Sequence, residues 1–74
     1  MKKRIRTLIR SEGWHLVEKQ EGYEKYMEMR KWCTATYSRG TWEGKNVGDH
    51  FASGIKKFVF KREQDKLMFV LRWS

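Results

Sequence analysis

Three side chains in this 74-residue chain can move protons or act as nucleophiles near neutral pH: His15, Cys33 and His50. Acid–base catalysis needs such groups within hydrogen-bond reach of the atoms they serve, and the two histidines lie far apart in the sequence. A histidine could shuttle protons in RNA cleavage, which keeps a minimal ribonuclease as a third hypothesis. Nothing else in the sequence supports a catalytic site, so we expect that the protein is not an enzyme.

Metal and disulfide chemistry have even less support in the sequence. A structural zinc site takes four nitrogen or sulfur ligands, and one cysteine with two histidines falls short of that number. A single cysteine forms no disulfide within the chain, and free cysteine is among the most buried residue types. We therefore predict no metal, no cofactor and a core position for Cys33.

Charge is the strongest feature of the sequence. Seventeen Lys and Arg face nine Asp and Glu, which gives a formal net charge of +8 at pH 7 and an isoelectric point near 9.9. An isoelectric point above about 9 is typical of nucleic-acid-binding domains. The first hypothesis is a non-catalytic nucleic-acid-binding protein, with RNA or single-stranded DNA slightly ahead of duplex. The alternative is a small inhibitor or adaptor, of the phage or mobile-element type, that docks on an acidic protein surface.

The first residues, MKKRIR, are like the charged start of a signal peptide. The apolar stretch of roughly 7 to 15 residues that should follow is interrupted by Ser11, Glu12 and His15. No run of about 20 apolar residues occurs, so we expect a cytoplasmic protein with no membrane span. The length predicts a single domain over residues 1–74.

Residues 2–12 are predicted to form a short helix. Ile5, Leu8 and Ile9 recur at helical spacing and make one apolar stripe. Gly13 follows directly, where a left-handed residue often closes a helix. The opposite face carries three cations that lie within about 60° of one another. These are Lys3, Arg6 and Arg10.

The segments on either side of Gly22, residues 14–20 and 23–30, are predicted to form a β-hairpin. Its second strand is expected to continue to about Ser38 and to alternate between a core face and a polar face. Aromatic rings beside an arginine on the polar face would suit base stacking, or they would only cover a neighbouring loop. The side chains in question are Tyr26, Arg30 and Trp32.

Residues 39–54 contain four glycines and are predicted to form a long loop with at most one helical turn after Asp49. Neither GxGxxG nor the P-loop pattern is present, so a phosphate-cradling glycine loop is unsupported. Long loops in small domains are often functional, and Trp42 is a third stacking candidate.

Residues 57–62 and 67–73 are predicted to form a second hairpin, although a helix over 50–62 stays an open alternative because apolar residues there also recur at helical spacing. The hairpin would place Lys57 opposite Arg72. Like charges that face one another across a sheet repel, and an anion over that face would relieve the repulsion. The cations on this face are Lys57, Lys61 and Arg72.

About the first 30 residues resemble the start of HicA-type mRNA-cleaving toxins. The pattern is a basic helix that ends in Glu12-Gly13-Trp14, then a strand, a turn at Gly22 and another strand. Those toxins carry a histidine soon after the turn glycine, whereas Tyr23 follows it here. They also finish with a helix, where this chain is predicted to finish with a strand. The resemblance therefore implies a shared pattern without the activity.

Together these segments predict an α+β fold, with one amino-terminal helix packed on a single antiparallel sheet of four to five strands. The sequence does not give the oligomeric state. The candidate nucleic-acid-binding residues are Lys3, Arg6, Arg10, Arg30, Lys57, Lys61 and Arg72, with Tyr26, Trp32 and Trp42 for stacking.

Overall fold

The computed structural model describes residues 4–47 and 54–74. These residues form three helices and three strands, and both the first and the last of these elements are helices. In chain order they are α1 (Ile5–Glu12), β1 (His15–Glu21), α2 (Tyr23–Thr36), β2 (Trp42–Asn46), β3 (Gly54–Phe60) and α3 (Glu63–Arg72).

The strands form one antiparallel sheet in the order β1-β3-β2, so β3 lies in the middle. In the centre of the sheet Phe58 pairs with Val17 of β1 and with Gly44 of β2. The prediction of four to five strands with one helix is wrong. The described residues form three strands and three helices in a small α+β fold.

The predicted amino-terminal helix is confirmed for its described part. It ends as expected, because Gly13 has a left-handed φ of 70° and the next N–H, from Trp14, donates to the Leu8 carbonyl at 3.0 Å. Leu8 is buried, and α1 packs on β3, where Val59 is also fully buried. The helix therefore covers the face of the sheet that lies away from the two longer helices.

The predicted strand after Gly22 is wrong, because residues Tyr23–Thr36 form α2. The buried side chains of this helix, Tyr26, Met29 and Cys33, recur three and four residues apart, which is helical spacing. The Glu, Lys, Met and Arg residues between them are good helix formers. Local propensity and burial therefore agree on a helix, and the described chain has no second strand in the toxin-like pattern.

Only the first half of the second predicted hairpin is a strand. β3 ends at Phe60, and Glu63–Arg72 form α3. Acidic side chains in the first turn of a helix are favoured by its dipole. One of them, Asp65, also accepts a hydrogen bond from the Arg62 guanidinium at 3.0 Å. The alternative helix over 50–62 is likewise wrong where the structure describes that segment, since residues 54–60 are strand.

The long loop predicted over residues 39–54 contains β2, so the prediction is wrong for Trp42–Asn46. The strand pairs with β3 from Trp42 to Asn46. The helical turn expected after Asp49 lies outside the described residues.

The main core lies between the sheet and the two longer helices. α2 packs over β2, and α3 packs over β1 and β3. The ring centroid of Phe69 in α3 lies 4.8 Å from that of Phe58 and 5.1 Å from that of Phe60. The Tyr37 hydroxyl donates to the backbone oxygen of Asp65 at 2.7 Å, which ties the end of α2 to the start of α3.

The Cys33 thiol is expected to be almost unreactive in the folded protein. Burial raises its pKa from 9.0 to about 12, although nearby Arg30 lowers it. Three pKa units mean about 1,000-fold less thiolate at pH 8, and thiolate is the reactive form. We expect a disulfide reagent to label the native protein at least about 100-fold more slowly than the urea-unfolded protein.

The same pKa shift makes the free energy of unfolding decrease with rising pH in the alkaline range. Because the folded pKa of Cys33 is above the unfolded one, its contribution to stability is complete below about pH 9 and is lost as pH rises towards 12.

In the labelling experiment, fast labelling of the native protein at pH 8 would contradict the buried position of the Cys33 thiol.

Candidate functional site

An open groove lies between the first helix and the β2–β3 side of the sheet, and we name it the α1 cleft. Its volume is about 440 Å³. Five cations and three aliphatic side chains line it, and no acidic side chain is among the described lining residues. The lining residues are Arg4, Ile5, Arg6, Ile9, Arg10, Lys45, Val47 and Lys57.

One wall of the α1 cleft is the helix itself. Burial of Leu8 against the sheet fixes the rotation of α1 about its axis. At 100° per residue, Arg6 and Arg10 then lie on one side, one turn apart. The half-buried Ile5 and Ile9 lie between the arginines and Leu8. The packing that buries the apolar stripe therefore directs two guanidinium groups along the cleft.

The other wall comes from the sheet. Lys45 of β2 and Lys57 of β3 are direct cross-strand partners, and alternation puts them on the face that α1 covers, opposite to Phe58. Two carboxylates share this face: Glu18 pairs with Lys57 from the β1 side, and Glu43 precedes Lys45 by two residues. Neither carboxylate lines the α1 cleft.

Several placements of positive charge in the α1 cleft oppose folding. Arg6 and Arg10 are four residues apart on a helix, where like charges cost a few tenths of a kcal/mol. The Lys45–Lys57 pair costs about 0.2 to 1 kcal/mol. Arg4 and Arg6 lie at the amino end of α1, whose first turn has no acid to balance the dipole. A bound anion would relieve each of these repulsions.

Replacement of Lys45 by glutamine is expected to stabilise the fold while it weakens anion binding. The change removes the repulsion from Lys57, so the free energy of unfolding should rise by about 0.2 to 1 kcal/mol. At low salt, where screening is weak, Tm should rise by roughly 1 to 8 °C in circular dichroism melts. Lys61→Gln removes the same charge outside the cleft and serves as control. A Tm that rises no more than in the control would show that the lysine pair costs nothing.

The lining side chains are suited to holding phosphate groups. Guanidinium and ammonium groups donate hydrogen bonds and accept none, and the arginine fork matches phosphate oxygens. Ile5, Ile9 and Val47 add an apolar surface that a sugar could contact. Among the described lining residues there is no aromatic residue, histidine or cysteine. Within residues 4–47 and 54–74, no three His, Cys, Asp or Glu side chains are grouped to hold a metal ion.

Three of the predicted phosphate-binding cations, Arg6, Arg10 and Lys57, meet in the α1 cleft. They come from α1 and β3, whose cations were predicted to form two separate basic surfaces. Lys3 lies outside the described residues.

The two other cations of the predicted hairpin face lie elsewhere. Lys61 is exposed just after β3. Arg72 is at the end of α3, with its guanidinium 4.3 Å from the ring centroid of Trp73, and α3 packs on the opposite face of the sheet from α1. The predicted pairing of Lys57 with Arg72 is therefore wrong. The like-charge partner of Lys57 is Lys45.

Two of the predicted stacking residues contribute to packing. Tyr26 is buried in the main core, with its ring centroid 5.6 Å from that of Phe58. Trp32 is half-buried and meets Tyr37 edge-on at 5.5 Å. The polar strand face that was to carry these rings does not exist, because the segment is helix α2.

Arg30 and Trp42 lie together at a second cleft, on the other side of β2. The Arg30 guanidinium is 5.2 Å from the Trp42 ring centroid and donates to the Gly44 carbonyl at 2.9 Å. The second cleft has a volume of about 520 Å³. Its lining residues are Arg30, Thr34, Tyr37, Arg39, Gly40, Trp42 and Glu43.

His15 is on the core-facing side of β1, opposite Phe60 of β3. It therefore lies across the sheet from the α1 cleft and supplies no proton-transfer group there. His50 lies outside the described residues.

Arg4 and Lys45 also line the α1 cleft. Lys45 was one of the side chains that the predicted loop over residues 39–54 could offer, but neither residue was among the predicted nucleic-acid-binding residues. Lys45 could have been predicted only from an alternating strand pattern over residues 42–47. Gly44 and Asn46 weaken that pattern, because both residue types are depleted in strands. Arg4 gave no signal beyond its charge.

None of the helices in the described segments is long and apolar enough to cross a membrane. No protein family, curated protein or solved structure matches this chain. The geometry and charge of the clefts are therefore the basis for a functional proposal.

Proposed function

We propose that this chain is a non-catalytic nucleic-acid-binding protein whose α1 cleft holds the phosphates of RNA or single-stranded DNA in preference to duplex. The observation that supports this most directly is the meeting of five cations around one open groove, with no carboxylate among the lining residues that the structure describes. The net charge of +8 adds long-range attraction for a polyanion. The cytoplasm is the setting we propose, because a chain with a single cysteine does not depend on an internal disulfide for its stability.

The α1 cleft is suited to one sugar–phosphate strand. Arg6 and Arg10 are about 6 Å apart along the helix axis, so they can contact neighbouring phosphates of the same strand. Lys45 and Lys57 approach from the sheet on the other side. A strand between these walls would exchange its counterions for protein cations from both sides.

Binding in the α1 cleft should depend little on sequence. Phosphate contacts fix the position of a nucleic acid, and contacts to base edges specify its sequence. The lining residues within 4–47 and 54–74 offer guanidinium, ammonium and aliphatic groups, and none of them has an amide or carboxylate side chain to read an adenine or a cytosine. We therefore expect similar affinities for unrelated single strands of equal length.

The test is a salt series of binding to labelled single- and double-stranded RNA and DNA, with fluorescence anisotropy as the readout. If the five cleft cations each neutralise one phosphate, the slope of log K against log salt should be about −3.5 on single strands and −4.5 on duplex DNA. Gel analysis of the same samples should show intact strands.

Other outcomes would favour the other two hypotheses. Cleavage of the strands would replace the proposal with a ribonuclease. Binding that is weak and vanishes near 0.15 M salt would mean that the charge serves an acidic protein surface, as in an inhibitor or adaptor.

A further inference from the structure

The two clefts open on opposite faces of the same strand. Lys45 and Val47 line the α1 cleft, and Trp42 and Glu43 line the second cleft. β2 is an outer strand of the sheet, so its free edge separates the two clefts. The distance from Lys45 to Trp42 along β2 is about 10 Å, which a few nucleotides can span.

We infer that one nucleic-acid strand runs from the α1 cleft over the edge of β2 into the second cleft, where a base stacks on Trp42. This inference rests on the proposed function, because the α1 cleft must first hold the phosphates. A path around a sheet edge requires a sharp bend. Duplex DNA has a persistence length of about 150 base pairs and cannot make it, whereas a single strand can. The two-cleft path therefore selects single strands against duplex.

In the second cleft, contacts within the protein hold the Trp42 side chain in position before a base binds. The Arg30 guanidinium stacks on the Trp42 ring and is held in place by hydrogen bonds to the Gly44 carbonyl at 2.9 Å and the Tyr26 hydroxyl at 3.2 Å. Arginine over an aromatic ring adds to stacking sites for single strands. The Trp42–Arg30 pair is therefore ordered before a ligand arrives, so little conformational freedom is lost on binding.

The second cleft also offers a cation for the phosphate of a stacked nucleotide. Arg39 is exposed and lines the cleft beside Gly40. A nucleotide whose base stacks on Trp42 can therefore place its phosphate at Arg39.

Three labelled probes separate this path from simple binding in the α1 cleft: deoxythymidine strands of about 4 and about 12 nucleotides, and a duplex of about 12 base pairs. Trp42→Leu should weaken binding of the longer strand about 5- to 150-fold, the equivalent of one stacked base. The short strand and the duplex should bind the variant as they bind the parent. Trp42→Phe keeps a ring and should retain most of the affinity for the longer strand.

Because Trp42 packs against the core, an exposed residue provides the second variant. Arg39→Gln should make the salt slope of the longer strand shallower by about 0.7 and leave the fold intact by circular dichroism. Lys31→Gln, an equal loss of charge on α2, should leave that slope unchanged.

The inference is overturned if the longer strand and the duplex bind equally and neither Trp42→Leu nor Arg39→Gln changes binding. In that case a dependence on Lys57, measured with Lys57→Gln on all three probes, would still support the α1 cleft as the binding site. Loss of the proposed function itself would appear differently, as absence of salt-dependent binding to every probe.

Discussion

A variant with Arg6→Gln, Arg10→Gln and Lys57→Gln is expected to bind single-stranded nucleic acid about 100-fold more weakly than the parent at about 0.1 M salt. Each phosphate contact on a single strand contributes about 0.7 to log K for every tenfold dilution of salt below about 1 M. Three lost contacts therefore remove about two log units. The salt slope should fall from about −3.5 to about −1.4, which anisotropy titrations at four or more salt concentrations can resolve.

The matched control changes Lys31, Lys61 and Lys66 to glutamine. The net charge falls by the same amount, but none of these residues lines the α1 cleft. This control should lose little affinity and keep most of its salt slope. If the two triple variants bind equally weakly, the net charge of the protein drives binding and the α1 cleft is not a site.

Replacement of Phe69 by alanine is expected to lower the free energy of unfolding by about 3 to 5 kcal/mol. Phe69 is fully buried in α3, and its ring contacts those of Phe58 and Phe60 in the central strand. A domain of this length has a total stability of only about 4 to 11 kcal/mol. The substitution should therefore leave a marginal or unfolded protein, which urea titration followed by circular dichroism would show.

Phe69→Leu is the conservative comparison, because it keeps an apolar side chain of similar reach in the same position. It should recover most of the stability that alanine loses. A loss below about 1 kcal/mol for Phe69→Ala would contradict the central place of α3 in the core. It would also reopen the possibility that residues 67–73 are not helical.

The segment from Tyr23 to Thr36 shows why part of the fold could not be predicted from the sequence. Its polar and apolar residues alternate well enough for a strand, while Tyr26, Met29 and Cys33 also recur at helical spacing. Glycine at position 22 then favoured a hairpin turn. The segment is a helix because Tyr26, Met29 and Cys33 are buried against the sheet in that conformation. That contact depends on strands far away in the sequence.

The candidate site was predictable in its parts but not in its assembly. Arg6 and Arg10 followed from the amphipathic pattern of α1, which the structure confirms. Lys57 was predicted to bind phosphate because a like charge was expected to face it across the sheet. A like charge does face it, but that residue is Lys45 of β2. No local pattern could place Arg6 beside Lys57, because the fold brings α1 and β3 together only once the sheet has formed.

Arg30 also covers part of the outer edge of β2. The Thr41 carbonyl and the Val47 N–H bond towards β3, so the backbone groups of Gly44, between them, point away from the sheet. Open edges of this kind are where strands of neighbouring molecules add and aggregation begins. Arg30 occupies the Gly44 carbonyl, and a side chain at that glycine would bring a Cβ within 3.0 Å of the guanidinium. A strand added at this edge would have to displace a bonded cation, so the arginine that supports Trp42 also opposes strand addition at Gly44.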